Sequence, residues 1–137
     1  MAETLRLEIV TPDGIVYSED VDMVTLPSVE GELGILPQHV GLMTQLVPGE
    51  MIVRRDGRDG FVAVGGGLVE VTGKRVAILT DMAIPADKID EARVEEARQR
   101  AEARLREKVS AEEIASLNAS LARSLAQLQV KRRRRVQ

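Results

Sequence analysis

Cysteine and tryptophan are absent from this 137-residue chain, and tyrosine, phenylalanine and histidine occur once each. Without cysteine there can be no disulfide, thiolate metal site or Cys nucleophile. With Tyr17 and Phe61 as the only aromatics, the core must be aliphatic, and a base-stacking platform for nucleic acid is missing. No apolar run approaches the ~18 residues of a membrane span, and the opening Met-Ala-Glu-Thr-Leu-Arg lacks the basic and apolar parts of a signal peptide. His39 stands alone. It has no Ser or Cys nucleophile motif to serve as a base, and a single His makes a poor metal site. The sequence therefore predicts no catalytic residue and no metal.

Glycine and proline disappear after Pro85. Before that point, short β-branched runs alternate with Gly and Asp turns; after it, Ala, Glu, Arg and Leu dominate. Charge changes at the same place. Residues 1–84 hold 13 acidic and 6 basic side chains, a net of −7, whereas residues 85–137 hold 9 and 13, a net of +4. Two parts with different partners are expected, with domains at 1–84 and 85–137.

In the first part, Leu5, Leu7 and Ile9 alternate with Arg6 and Glu8, the period of a half-buried strand. Further strands are predicted at 15–18, 21–26, 51–55, 61–64, 68–72 and 76–80. Turn chemistry separates them at Pro12-Asp13-Gly14, across 55–60 and at Thr72-Gly73-Lys74,. Many short strands with no helical pattern between them predict an antiparallel β-sandwich. The Gly65-Gly66-Gly67 run leads into a strand and has no following Lys-Ser/Thr before a helix, so it is not a phosphate loop. Close backbone packing or a bulge explains it better.

In the second part, Asp87 is placed to cap a helix reaching about residue 108, with Asp90 adding charge at its positive end. Ala97, Ala101 and Leu105 form its small face. Ser110-Ala111-Glu112-Glu113 has the form of a capping box and restarts a helix, on which Ile114, Leu117, Leu121, Leu125 and Leu128 make one apolar stripe. The sequence thus predicts an α+β chain, a β-sandwich followed by an antiparallel two-helix hairpin. A pair of ~30 Å helices held by so narrow a stripe is marginal alone, so the hairpin is expected to move.

Gly31-Glu32-Leu33-Gly34-Ile35-Leu36-Pro37-Gln38-His39, then Pro48-Gly49, Gly65-Gly66-Gly67-Leu68-Val69-Glu70-Val71 and Val76-Ala77-Ile78-Leu79 ahead of the two helices, resemble the epsilon subunit of F-type ATP synthases over the whole chain. The resemblance implies a noncatalytic rotor subunit of the central stalk. Its sandwich would couple the gamma subunit to the c-subunit ring during proton-driven synthesis, and its helices would inhibit ATP hydrolysis when they extend toward the catalytic alpha/beta subunits. It also implies a peripheral position on the cytoplasmic face of a bacterial plasma membrane, or on a thylakoid. Glu32 and His39 would face the c-ring or gamma, although Gly turns and a solvated Glu32 explain the same residues structurally. Gln38 stands where the family commonly has Gly.

Ile89-Asp90-Glu91-Ala92-Arg93-Val94 resembles the motif through which some bacterial epsilon subunits bind ATP. Asp90 could accept from adenine or ribose and Arg93 could pair with phosphate; Arg100 and Arg123 match further phosphate-facing arginines. Val94, Gln127 and Ile84 depart from the pattern. The expected ligand is a weakly bound, regulatory ATP, with no required cofactor. The alternative is structural: Asp90 stabilises the helix start and Arg93 pairs with its neighbours.

Lys131-Arg132-Arg133-Arg134-Arg135 is a dense positive cluster. Taken alone it suits nucleic acid or anionic lipid, and a free-standing β-sandwich module with such a tail is the alternative reading of the chain. A solvated, disordered end is the plainest. The resemblance offers a third use, in which Arg123, Lys131, Arg132 and Arg133 meet acidic segments of the catalytic subunits.

Overall fold

The computed structural model describes residues 3–134. Ten strands come first: β1 (Leu5–Thr11), β2 (Gly14–Val21), β3 (Met23–Ser28), β4 (Gly31–Ile35), β5 (Leu42–Leu46), β6 (Gly49–Arg55), β7 (Arg58–Val64), β8 (Gly67–Thr72), β9 (Arg75–Thr80) and β10 (Ala83–Pro85). A single 3-10 turn (Ala86–Lys88) leads to α1 (Glu91–Leu105) and α2 (Ala111–Arg134). The strands hydrogen-bond in the order β10-β7-β6-β3-β5-β8-β9-β1-β2, with β4 also on β3. The sheet folds over on itself, and Arg55 of β6 reaches Glu19 of β2 in an ion pair. Pairing is antiparallel except between β1 and β9, which run parallel.

The turns follow residue chemistry. Arg55 and Arg58 face each other across Asp56-Gly57, and both loop residues take positive φ, 55° and 76°. That is the geometry of a two-residue hairpin whose twist matches its strands. The Gly65–Gly67 run is a close approach, as expected: a Cβ on Gly67 would lie 1.8 Å from the Leu79 carbonyl oxygen.

Period-2 alternation turns Leu5, Leu7 and Ile9 inward, where they meet Val24, Leu26, Met51, Val69, Val76 and Ile78. This interior is aliphatic, as two aromatics required. A separate cluster joins the helices to β7, β10 and the residues between β9 and β10. It contains Ala63, Met82, Ile89, Ala126 and Val130, with Phe61, Ile84 and Val94 packed beside them. The hairpin is therefore folded down on the sandwich through its own small apolar contact.

Three strands were not expected from sequence: β4, β5 and β10. β4 contains two glycines and reads as turn, yet Leu33 and Ile35 point inward. In β5 only Leu46 is buried, while Met43 is 66% exposed, so its hydrophobic pattern is broken.

The helices differ in detail from expectation. Asp87 does not cap α1. The 3-10 turn ends with Ile89 in extended backbone, and Asp90 becomes the cap, its Oδ1 accepting from Arg93 N–H at 3.2 Å. Ile89 before the cap and Val94 inside the first turn share the apolar cluster, the arrangement of a hydrophobic staple. α1 ends at Leu105, short of residue 108. Ser110 caps α2 by accepting from Glu113 N–H at 3.1 Å.

The predicted stripe on α2 is only half of what it buries. Leu128 is inside, but Leu125 is 53% exposed and Ile114 is also exposed. Ala126 and Val130 join the cluster on the sandwich. Ser124 and Leu128 are buried as well, about half a turn away. The last half of α2 is thus enclosed on two sides.

Candidate functional site

Three regions bear on function. The first is the segment from β4 to β5. Glu32 is exposed near the start of β4, paired in register with Pro27. His39 lies beyond the strand's other end, where its N–H donates to the Leu36 carbonyl and its Nδ1 donates to the Val40 carbonyl at 2.7 Å. With about 3.3 Å per strand residue between them, Glu32 and His39 do not form one cluster. Gln38 takes a left-handed φ of 66°, the conformation glycine adopts most easily, and its amide donates to Glu3 at 3.0 Å. Leu36 and Val40 are exposed here, Val40 at 76%.

The second region is a cleft of about 370 Å³ between the helices and the sandwich. Asp90, Arg93 and Arg100, predicted together from sequence, do line it, and Lys88 joins them. Among the described residues, Lys88, Arg93 and Arg100 make no ion pair, so Arg93 is not neutralised by a neighbour. Ile89 is not in the cleft; it is only 4% exposed and belongs to the apolar cluster. Arg123 is not there either. It pairs with Asp81 at 3.3 Å, tying α2 to the loop after β9. The side chains facing the cleft from α2 are Ser124 and Gln127. One residue along a helix turns the face by about 100°, which is why Ser124 enters where Arg123 does not. Lys88 was legible only as a cation immediately before the motif.

The third region is the end of α2. Residues 131–134 are helical and held, not a solvated disordered end; Arg135 lies outside the described residues. Lys131 donates to the Ala86 carbonyl at 3.1 Å. Arg132 bridges Glu91 at 2.8 Å and Glu95 at 3.0 Å. Arg133 and Arg134 both reach Glu50 of β6. Hydrogen bonds from Arg98 first, then Arg132, hold the Glu95 carboxyl below its ordinary range. At the inter-helix turn, Arg104 donates to Glu113 at 2.5 Å and to Glu107, lowering Glu113 in the same way. Among the described residues no helix is long and apolar enough to cross a membrane.

Residues 4–86 match the family of the ATP synthase delta/epsilon chain β-sandwich domain, and residues 87–132 match that of its long α-helix domain. The chain belongs to the ATP synthase delta/epsilon family. An ATP synthase epsilon chain of Herpetosiphon aurantiacus is 47% identical over 131 residues, 96% of each chain. One from Desulforamulus reducens is 49% identical over 110 residues, covering 80% of this chain and 83% of that one. A chain in the mitochondrial ATP synthase of Euglena gracilis, solved with its OSCP, F1 and c-ring, superposes with a TM-score of 0.73. It is 26% identical and covers 92% of this chain and 79% of its own. A chain from the central stalk and c-ring of the Tetrahymena thermophila enzyme shares the fold at 15% identity and a TM-score of 0.64. The sandwich-then-helices order of the family is the order seen here.

Proposed function

We propose that this chain is a noncatalytic rotor subunit, with the β-sandwich as coupler and the helical hairpin as brake. The observation that carries the reading is the separation of two apolar clusters. One belongs to the sandwich alone, and a small one docks the hairpin. A part so attached can leave without unfolding its support, and the two positions need differ by only a few kcal/mol.

The coupler would meet the gamma subunit and the c-ring, the kind of assembly named for the Euglena relative. Exposed apolar side chains supply contact surface: Leu36 and Val40 beyond β4, and Met43, Leu68 and Leu79 on β5, β8 and β9. Leu68 and Leu79 are direct cross-strand partners, so those two form one patch. Glu32 and His39 would provide separate polar contacts near the two ends of β4. The position would be peripheral, on the cytoplasmic side of the membrane. Affinity capture of the tagged chain from its native membranes should recover gamma and the other synthase subunits. Recovery of nucleic acid in a salt-sensitive manner would instead favour the free-standing binding module.

The cleft would be a weak regulatory ATP site. Three cations that make no ion pair among the described residues favour a polyphosphate, since guanidinium and ammonium groups hold phosphate through charge-assisted hydrogen bonds. Asp90 uses one oxygen as the α1 cap, leaving the other for a ribose or adenine donor. Arg123 would have to give up Asp81 to take part. Binding would stabilise the folded hairpin, because the cleft draws side chains from both helices,. ATP titration of the isolated chain should show binding that weakens at least about tenfold in Arg93→Ala, the loss expected for a charged hydrogen-bonding partner. Equal affinity in the two proteins would remove the site.

A further inference from the structure

Glu50 is the most enclosed carboxylate in any ion pair among the described residues, its side chain only 8% exposed. It sits on β6, where Met51 and Val53 point into the sandwich interior and Glu50 faces the opposite way, toward the hairpin. Its two oxygens accept from Arg134 Nε at 2.9 Å and Arg134 Nη2 at 2.5 Å. Arg133 Nη1 adds a third bond at 3.0 Å. The Arg134 guanidinium also lies 3.7 Å from the centre of the Phe61 ring on β7. One acid thus holds two cations, with an aromatic face beside them.

We propose that Glu50 and Phe61 form a latch that receives the basic end of α2 and holds the hairpin closed. For its consequence in the assembled enzyme, this rests on the reading of the hairpin as a brake. The cations that Glu50 binds belong to the end that would have to swing away, so they are either held or free to meet another acidic surface. Release is reversible because lifting α2 returns Glu50 and both arginines to water together, leaving no charge buried without a partner. Among the described residues the remaining hairpin-to-sandwich ion pair is Arg123 with Asp81, whose carboxylate is 47% exposed against 8% for Glu50, and exposed pairs contribute little. Arg132 pairs with Glu91 and Glu95 of α1, within the hairpin, and travels with it.

Salt separates the latch from apolar docking. At about 1 M salt the screening length falls to about 3 Å, whereas apolar packing does not loosen with ordinary salts. The chain has no cysteine of its own, so a pair of labels at Gln129 on α2 and Lys74 in the β8–β9 turn, both exposed, reports the distance across the joint. In the full-length chain the short distance should dominate at low salt, and the long one should grow as salt rises. Glu50→Gln should raise the open-to-closed ratio roughly tenfold to a hundredfold, as expected for lost charge-assisted hydrogen bonds, and should remove most of the salt response. Glu50→Arg combined with Arg133→Glu and Arg134→Glu should restore part of the closure that Glu50→Arg alone loses, because both arginines face position 50. Identical distance populations and salt response in Glu50→Gln and the parent would overturn the latch. So would unchanged closure in a chain carrying Arg133→Gln and Arg134→Gln, substitutions on the end of α2 that leave the sandwich untouched. Hydrolysis by the assembled enzyme decides the other question. A hairpin that opens in Glu50→Gln without lowering hydrolysis keeps the latch and removes the brake.

Discussion

Removal of residues 86–137 should leave a subunit that still couples rotation to synthesis, in an enzyme whose ATP hydrolysis rises several-fold. The cut belongs after Pro85, because β10 runs through Pro85 and pairs with β7. The sandwich should survive it, since Leu5, Leu7, Leu26 and Met51 pack in a cluster to which neither helix contributes. The helices leave behind an uncovered patch around Phe61, Ala63 and Ile84. That patch costs solubility before it costs the fold. Measured in assembled enzyme, unchanged hydrolysis would mean that the hairpin is no brake here.

Leu7→Ala should destabilise the sandwich by about 2–5 kcal/mol, the range for removing a large aliphatic side chain from a packed interior. Leu7 is fully buried, and its strand holds β2 on one side and β9 on the other. The parallel β1–β9 pair joins the start of the chain to residues about seventy positions later, so a cavity here weakens the longest-range strand pairing among the described residues. A small domain carries only about 5–15 kcal/mol in total. At about 4–8 °C per kcal/mol for a domain of this size, the thermal midpoint should fall by at least about 8 °C. A loss under about 1 kcal/mol in urea titration would show that the interior relaxes around the gap.

The sequence made the β-sandwich legible where pattern and burial coincide. Leu5-Leu7-Ile9 and Val69-Val71 alternate cleanly and lie in the interior. It obscured β4 and β5, where glycines and an outward Met43 break the alternation. On α2, one stripe was visible because leucines mark it. The second face, Ala126 and Val130, is made of smaller residues interleaved with the first and needs the sandwich in place to be recognised. The cleft was legible through Asp90, Arg93 and Arg100, which local helix geometry keeps on one side. Ile89 and Arg123 went elsewhere because tertiary partners claimed them, the cluster with Ala63, Ala126 and Val130 in one case and Asp81 in the other. Glu50 was not legible at all. Nothing local distinguishes it from a solvated strand residue, and its partners lie 83 and 84 positions away.

Truncation cannot separate loss of the hairpin from loss of its movement, but a reversible lock can. Ala63 of β7 and Ala126 of α2 lie in the same buried cluster. The chain contains no other thiols, so cysteines at both positions can be joined by a disulfide or a short thiol-cleavable linker. With the hairpin locked down, ATP hydrolysis by the assembled enzyme should rise to the level of the truncated form, and reduction should bring inhibition back. Equal hydrolysis before and after reduction, with cross-linking shown to be complete, would contradict a brake that works by leaving the sandwich.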